Sequence, residues 1–275
     1  MATRIPPLLE PYLSLPPETS LILLTSVLGA STNWLVLRFL HSILASPEGN
    51  PEDDTKVVFV SFMRDLAFWK ENGRRLGLDL DKLASRKKFA FVDGLSGLFL
   101  PKQAADSRVV PPQTILKSPE LQNVASQILG GISQIKAAGS GKVLLVLDQL
   151  DLLLATAGDK SDVVALGEML LELRESVHAT VMTVSADYPL VSEQRTSLES
   201  NHAAFLMGIA HQADSIMSLR LLDTGTARDV SGVIRVTQGS HAVSESDGSS
   251  KRTEEKEVLY FVGGDGGVKV FERGQ

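Results

Sequence analysis

Eight consecutive residues near the start of the chain, beginning at Ser26, have the length of a phosphate-binding P-loop. In the pattern G-x-x-x-x-G-K-[ST], glycines let backbone N–H groups surround the phosphates, the Lys neutralises them and the Ser/Thr hydroxyl holds Mg²⁺. Here Ser26 and Ser31 replace the two glycines. Thr32 replaces the Lys, Asn33 replaces the Ser/Thr, and Gly29 is the one glycine left in the loop. Because every chemical position is changed, the sequence predicts no functional P-loop.

A candidate carboxylate follows the most apolar segment of the chain. Asp148 comes directly after residues 143–147, in the position of a Walker B aspartate that would hold Mg²⁺ through water. Gln149 and Asp151 would add oxygen ligands nearby. Many parallel strands end in an acidic residue, however, and nothing here supplies a phosphate cradle. We therefore interpret Asp148 as Walker B-like in position only, and we expect no metal site.

Other catalytic chemistries have little support. The chain has no cysteine, which excludes disulfides, thiolate metal sites and cysteine nucleophiles. Its histidines show no metal spacing such as i, i+4, and we expect His202 and His211 at the surface or at helix ends. Residues 94–97 lack the spacing of a nucleophile elbow, and residues 139–142 are interpreted as a helix stop and turn. The sequence predicts no catalytic residue, no metal and no cofactor.

Three short basic clusters occur in a chain whose formal net charge is −6. This charge argues against broad attachment to nucleic acid or to an anionic membrane, but not against a local basic patch. Arg86, Lys87 and Lys88 directly precede a predicted strand, so the scaffold would hold them in place. They are candidate contacts to RNA phosphates, which would give salt-dependent affinity without base specificity. The alternative is a solvated face, as for the clusters at residues 74–75 and 251–252.

Predicted strands and helices alternate over the first two thirds of the chain. Apolar segments predict buried strands at residues 21–25, 56–61, 89–93, 143–148 and 180–185. Intervening segments predict helices at residues 34–40, 63–76, 118–138 and 162–175. This alternation is typical of an α/β fold with a mainly parallel central sheet flanked by helices. Strands predicted at residues 215–222, 233–237, 258–262 and 268–271 add an antiparallel C-terminal extension, which is the order of elements in RecA-like domains.

We predict a single RecA-like domain over residues 19–275. Five prolines make residues 1–18 an extended arm, which we expect to be disordered or to dock on a neighbour. The apolar residues available for docking are Leu8, Leu9, Tyr12 and Leu13. Residues 239–257, rich in Ser, Asp, Glu and Lys, are expected to form a flexible insertion. No apolar run reaches the ~18–20 residues that span a bilayer, and no secretion signal is recognised, so we expect no membrane partner.

Three further stretches carry a resemblance to a known family. They are residues 56–65 (KVVFVSFMRD), 89–99 (FAFVDGLSGLF) and 143–151 (VLLVLDQLD). With the altered loop, they make the chain resemble the family of sixth subunits of the Elongator complex, over roughly residues 15–270 and most closely a fungal member. Their order and spacing carry the match, because no single motif is diagnostic. That family is a degenerate branch of the RecA and KaiC ATPases.

The resemblance implies a second missing requirement for ATP hydrolysis. In the active relatives, a Ser-Gly-Glu-Glu stretch after the second strand supplies a catalytic carboxylate. Here Ser61 is followed by Phe62, Met63 and Arg64. ATP hydrolysis has been associated with the ring that such subunits form, but this chain offers no residues for it. The resemblance therefore implies an accessory subunit that is not itself an enzyme.

What the resemblance implies is assembly. The fourth, fifth and sixth subunits alternate in a ring of six that binds tRNA and accompanies the catalytic subunits, which modify the wobble uridine of the anticodon. The implied partners are the fourth and fifth subunits, the catalytic Elongator subunits and tRNA, in the cytoplasm with some nuclear presence. In such rings one core abuts the next near the nucleotide position. Val27, Leu28 and Trp34 are the apolar residues best placed there, with Trp34 alternatively facing its own sheet.

Two other functions remain open at this point. An active or regulatory ATPase of the KaiC or recombinase type would need a phosphate cradle, which the loop that begins at Ser26 does not provide. A pure protein-interaction scaffold would leave all RNA contact to its partners. The net charge of −6 and the small basic clusters suit this scaffold as well as they suit a tRNA-binding subunit.

Overall fold

The computed structural model describes residues 5–45, 54–100, 113–156, 162–223, 225, 227–239 and 254–273. The strands in these ranges are β1 (Leu21–Ser26), β2 (Thr55–Ser61), β3 (Phe89–Asp93), β4 (Gln113–Ile115), β5 (Lys142–Asp148), β6 (Ala179–Ser185), β7 (Ser215–Arg220), β8 (Gly232–Gln238), β9 (Lys256–Val262) and β10 (Val268–Phe271). The α-helices are α1 (Asn33–Leu44), α2 (Leu66–Arg75), α3 (Leu80–Ser85), α4 (Leu121–Ala137), α5 (Leu152–Thr156), α6 (Val163–Glu175) and α7 (Ser197–Gln212).

The strands form one sheet in the order β10-β9-β8-β7-β1-β6-β5-β2-β3-β4. Neighbouring strands from β7 to β4 are parallel, whereas β8, β9 and β10 pair antiparallel. The predicted α/β fold, with a mainly parallel sheet and an antiparallel C-terminal extension, is confirmed. Strand β7 belongs to both parts, because it pairs parallel with β1 and antiparallel with β8. Strand β6 lies between β1 and β5, so the loop after β1 is two strands, ~10 Å, from the end of β5.

Helices cover both faces of the parallel sheet, which explains why its strands are apolar at successive positions. On β5, Leu144 and Val146 pack in the hydrophobic cluster that contains residues of α1, α2 and α3. Leu145 and Leu147 point the other way, into the cluster formed with α4, α6 and α7. Helix α1 is buried on nearly all sides, because α2 and the β9–β10 hairpin contribute to the same cluster.

The N-terminal segment differs from the predicted arm. Residues 5–18 do not extend away from the domain: Leu9 and Leu13 are fully buried in the core beside α1, and a 3₁₀ turn spans Glu10–Tyr12. The Tyr12 hydroxyl donates to the Glu254 carbonyl (2.9 Å). Burying such a leucine contributes roughly 1.5–3 kcal/mol, which offsets the entropy of ordering a segment already stiffened by proline. The described part of this segment therefore belongs to the same domain.

Other differences concern boundaries and short elements. Helix α4 begins at Leu121, not Ser118, because Ser118 Oγ accepts a hydrogen bond from the Glu120 N–H before the helix starts. The predicted insertion at residues 239–257 is too long, since β9 already begins at Lys256. Residues 240–253 lie outside the described residues. Across the ranges that are described, none of the helices combines the length and apolar character needed to cross a bilayer.

Candidate functional site

The loop after β1 keeps the strand–turn–helix frame that the sequence predicts. Strand β1 ends at Ser26 and α1 begins at Asn33. Between them the chain turns tightly, and the Ala30 N–H donates to the Val27 carbonyl (2.9 Å). Gly29 occupies the left-handed region with φ +90°, a conformation that glycine adopts without strain. The chain thus forms a strand, a turn and a helix at this position.

The side chains of this loop are poorly suited to phosphate. Thr32, at the position of the P-loop Lys, is a buried neutral residue. Ser31 Oγ accepts a hydrogen bond from the Asn33 N–H (3.2 Å), which occupies one donor of the α1 N-terminus. The Leu28 N–H is also taken, because it donates to Asp187 Oδ1 (2.7 Å). A carboxylate at this point would repel a phosphate by like charge, and sequence reasoning missed Asp187 because it follows a different strand.

Asp148 lies at the end of β5, as expected for a Walker B-like residue, but its carboxyl group is already engaged. Ser61 Oγ donates to Asp148 Oδ2 (2.7 Å), and Thr183 Oγ1 donates to Asp148 Oδ1 (2.9 Å). Both hydroxyls also accept backbone N–H groups, from Arg64 and Gln149 respectively. Burial raises the pKa of Asp148, which is only 1% exposed. The carboxyl group therefore acts as an internal hydrogen-bond acceptor that ties β2, β5 and β6 together.

The hydrogen bonds continue from Asp148 to α7. Gln149, at φ +58°, accepts from Ser185 Oγ through its Oε1 (2.8 Å). The Ser185 N–H donates to Asp151 Oδ2 (3.2 Å). His202 lies beside both, with Nε2 2.8 Å from the Ser185 carbonyl and Nδ1 3.8 Å from Asp151 Oδ2. Since a carbonyl only accepts, we assign Nε2 as the donor. The term aspartate network is used below for Asp148 and the residues bonded to it or next to it in this chain of contacts. They are Ser61, Gln149, Asp151, Thr183, Ser185 and His202.

The position of His202 corrects the sequence-based expectation. His202 is 3% exposed and lies in the second turn of α7, not at the surface or at a helix end. Burial raises the pKa of Asp151 to about 6, an effect that the nearby His202 opposes. Asp151 Oδ1 is buried without a hydrogen-bond partner among the described residues. Sequence reasoning did not identify α7, although Thr196 and Glu199 form the capping box that marks its start.

A third aspartate at this edge of the sheet is also used internally. Asp93 Oδ1 accepts from the N–H groups of Leu95 and Ser96 (2.9 and 2.7 Å), and its Oδ2 accepts from Gln113 Nε2 (2.9 Å). Within the described part of the chain, no group of three or more His, Cys, Asp or Glu side chains is arranged to hold a metal ion. The acidic residues at the carboxyl edge thus fix loops and strands.

The candidate RNA contacts are only partly available. Arg86 is the C-terminal cap of α3, and Lys87 adopts φ +60° in the turn that leads to β3. Lys88 Nζ forms an ion pair with Asp54 Oδ1 (3.1 Å), so its charge is partly neutralised. Lys87 is exposed. The structure therefore brings the three residues together in one turn, but it presents fewer free charges than the sequence suggested.

Three exposed apolar residues lie on the loop after β1 or next to residues that contact it. Leu28 is 87% exposed, Tyr188 is 70% exposed and Leu221 is 44% exposed. Leu221 packs beside Gly29, and Tyr188 follows Asp187, which is bonded to the Leu28 N–H. We call Leu28, Tyr188 and Leu221 the rim patch. Trp34 does not belong to it, because its ring is buried 5.0 Å from that of Tyr260, so the alternative in which it faces its own domain is correct.

The strand order, the loop between β1 and α1 and the antiparallel extension together define a KaiC-like α/β domain. A KaiC-like protein from the archaeon Pyrococcus horikoshii OT3 superposes with a TM-score of 0.55, at 20% identity over 93% of this chain and 91% of that one. The family model for Elongation complex protein 6 matches residues 16–262, and the chain belongs to this family.

Two relatives agree with this assignment. The chain is 24% identical to the Elongator complex protein 6 homolog of Schizosaccharomyces pombe over 264 residues, which cover 95% of this chain and 94% of the relative. It is also 24% identical to Elongator complex protein 6 of Xenopus laevis over 230 residues, which cover 80% of each chain. The predicted resemblance to the sixth Elongator subunits is confirmed.

Proposed function

We propose that this chain is a non-catalytic subunit of a hetero-hexameric RecA-like ring in the Elongator complex, where it alternates with the fourth and fifth subunits. The ring supports tRNA binding and modification of the wobble uridine of the anticodon by the catalytic subunits. The observation that carries the proposal is the rim patch, because it places exposed apolar side chains where an active RecA-like subunit would hold ATP.

The rim patch suits a protein interface better than a solvated surface. An isolated exposed apolar residue is ordinary, but three that lie on or close to one loop favour a binding site. Tyr188 is the kind of residue that dominates binding energy, since aromatic side chains bury a large area at low entropic cost. Burying Leu28 alone would contribute roughly 1.5–3 kcal/mol. A neighbouring subunit of the ring is therefore the proposed occupant of this surface.

The alternative of an active ATPase is disfavoured by two contacts. The Asp187 carboxylate holds the Leu28 N–H at the loop, and both Asp148 oxygens accept buried hydroxyl groups. A nucleotide with Mg²⁺ would have to break these bonds and overcome the negative charge of Asp187. Calorimetry of the full-length chain with Mg²⁺ and ATP should show no binding. Micromolar affinity that disappears on changing Asp148→Ala would contradict the non-catalytic role.

The scaffold alternative is favoured by the Lys88–Asp54 ion pair and by the net charge of −6, which both reduce direct attraction to RNA. Reconstitution separates it from tRNA binding. The three subunits together should give a native mass of two copies of each, and this ring should bind tRNA. Omission of this chain should abolish both the ring mass and high-affinity binding. A ring of wild-type mass without this chain would contradict the proposal.

A further inference from the structure

A cavity lies on the flank of α1, apart from the aspartate network. It has a volume of about 350 Å³ and lies between α1, α2, β9, the loop after β1 and the turns that precede β8 and β10. Its apolar wall is formed by Trp34, Leu37, Phe68, Leu76, Tyr260 and Val262. Clefts of this size with aromatic walls are typical of small-molecule sites. The shape and lining of the cavity therefore suit a compact ligand with an apolar body.

Arg38 gives this cavity an unusual charge. The residue lines the cavity but is only 2% exposed. Its Nη2 donates to the Gly266 carbonyl (2.9 Å) and its Nη1 to the Trp34 carbonyl (3.4 Å), both of which are neutral acceptors. Arg38 Nε is buried without a hydrogen-bond partner among the described residues. Burial lowers the pKa of Arg38 to about 10, so the guanidinium is still charged at neutral pH.

The charge of Arg38 has no counter-ion in the described wall of the cavity. Of the described residues that line it, none is acidic. The other charged residue among them is Arg75, whose Nη2 pairs with Glu71 Oε1 (2.7 Å) on the exposed side of α2. Glu71 thus offsets the charge of Arg75, whereas the charge of Arg38 is not offset by any described residue that lines the cavity. A buried cation is costly unless it is paired, which makes an anion the expected complement.

Neutral donors complete the site. Ser231 Oγ accepts a hydrogen bond from the Val262 N–H (2.9 Å). The hydroxyl proton of Ser231 is not used in this bond and can be donated to a ligand. Burial raises the pKa of Tyr260 to about 12, so its hydroxyl stays protonated. Ser31 and Asn33 place the start of α1 at the same cavity, where the Asn33 N–H already donates to Ser31 Oγ. Cationic and neutral donors thus meet an aromatic wall in one cavity.

We propose that this cavity binds a small organic anion with a flat apolar body, whose carboxylate or phosphate group faces Arg38. The apolar body would lie against Trp34, Phe68 and Tyr260. None of the three rim-patch residues lines the cavity, although Gly29, beside which Leu221 packs, does. The shared chemistry of the ligand is an aromatic ring system that carries one anionic group, and the two kinds of anion are distinguished by the probes below.

The test is calorimetric titration of the full-length chain with 2-naphthoate, 2-naphthyl phosphate and the neutral 2-naphthamide. We expect the anions to bind at least tenfold more tightly than the amide, since a charge-assisted hydrogen bond in a buried site is worth about that factor. The tighter of the two anions identifies the preferred group. The two tryptophans are Trp34 and Trp69, so quenching that persists in Trp69→Phe locates the probe at Trp34.

Two variants keep the proposal falsifiable. Arg38→Leu should remove the preference for the anions, whereas Arg75→Gln, the matched control, should keep most of it. If Arg38→Leu does not fold, Asn72→Phe decides the question, because Asn72 lines the cavity from α2 and a phenyl ring there should block all three probes. Equal affinity for acid and amide, no binding of any probe, or binding that Asn72→Phe leaves unchanged would overturn the proposal.

Discussion

Two parts of the same sheet edge differ in the side chains that they present. At the end of β5, Asp148 lies in the position of a metal-binding aspartate, but its oxygens are filled by hydroxyl groups from neighbouring strands. At the end of β1, the loop keeps a turn, but Thr32 and Asn33 occupy the positions of the P-loop Lys and Ser/Thr, and Leu28 is exposed to solvent. The aspartate network is buried and polar, whereas the rim patch is exposed and apolar.

We expect the aspartate network to contribute to the stability of the fold and the rim patch to contribute to binding of a partner. A buried carboxyl group whose bonds are all internal contributes to folding, and its removal leaves hydroxyl groups without an acceptor. An exposed leucine contributes little to folding and is available to a partner. The two regions should therefore respond differently to substitution, although they lie about two strands apart.

The largest effect is expected in the aspartate network. Asp148→Ala removes the acceptor of the Ser61 and Thr183 hydroxyls and should lower the free energy of unfolding by ~2–4 kcal/mol, as measured by urea denaturation. The matched control is Glu168→Ala on the exposed side of α6, which should stay within ~0.5 kcal/mol of the wild type. A decrease below ~0.5 kcal/mol for Asp148→Ala would show that the network does not stabilise the fold.

A smaller effect is expected from pH. Burial raises the pKa of Asp151 to about 6, above its ordinary value of ~3.9 in an unfolded chain. The folded state therefore binds this proton more tightly, so the contribution is complete below pH ~4 and disappears as the pH rises through about 6. Burial shifts the pKa of Asp148 in the same direction. In urea titrations at pH 5 and pH 7, Asp151→Asn should reduce the fall in stability, and an identical pH dependence in this variant would contradict the assignment.

The smallest effect is expected on tRNA binding, from substitutions that lie in neither of the two regions. In the assembled ring, changing Arg86, Lys87 and Lys88 to Ala should weaken tRNA binding more than changing Lys251 and Arg252. The salt dependence should become shallower by roughly one unit for each phosphate interaction that the substitutions remove. Filter binding over a range of salt concentrations measures both quantities. Unchanged affinity and slope would make the first cluster a solvated face and assign RNA binding to the partner subunits.

The sequence was sufficient to predict nine of the ten described strands, because most of them are apolar runs, but it predicted neither the short strand β4 nor the strand order of the sheet. Residues 139–142 were also interpreted correctly as a stop and turn, since α4 ends at Ala137 and β5 begins at Lys142. The role of Asp148 was not predictable, because its partners Ser61 and Thr183 come from strands that are adjacent only in the folded sheet. Tyr188 and Leu221 were missed for the same reason.

Proline content was misleading for the N-terminal segment. Prolines exclude a long helix there, but they do not prevent the leucines between them from packing on the core, as Leu9 and Leu13 do. His202 was expected at the surface or at a helix end because the extent of its helix, α7, had not been predicted. The burial of the N-terminal leucines and of His202 depends on long-range contacts, which local sequence patterns do not encode.

The rim patch gives the most direct test of the central claim, which is that the altered loop serves as a packing surface. A Leu28→Asp, Tyr188→Asp double variant is combined with the fourth and fifth Elongator subunits and measured by native mass spectrometry. The control pair is Val164→Asp, Met207→Asp, two exposed apolar residues on α6 and α7. Both variants should melt like the wild type, but only the rim variant should fail to form the ring, with assembly weakened at least tenfold. A rim variant that folds and assembles at wild-type yield would contradict the account.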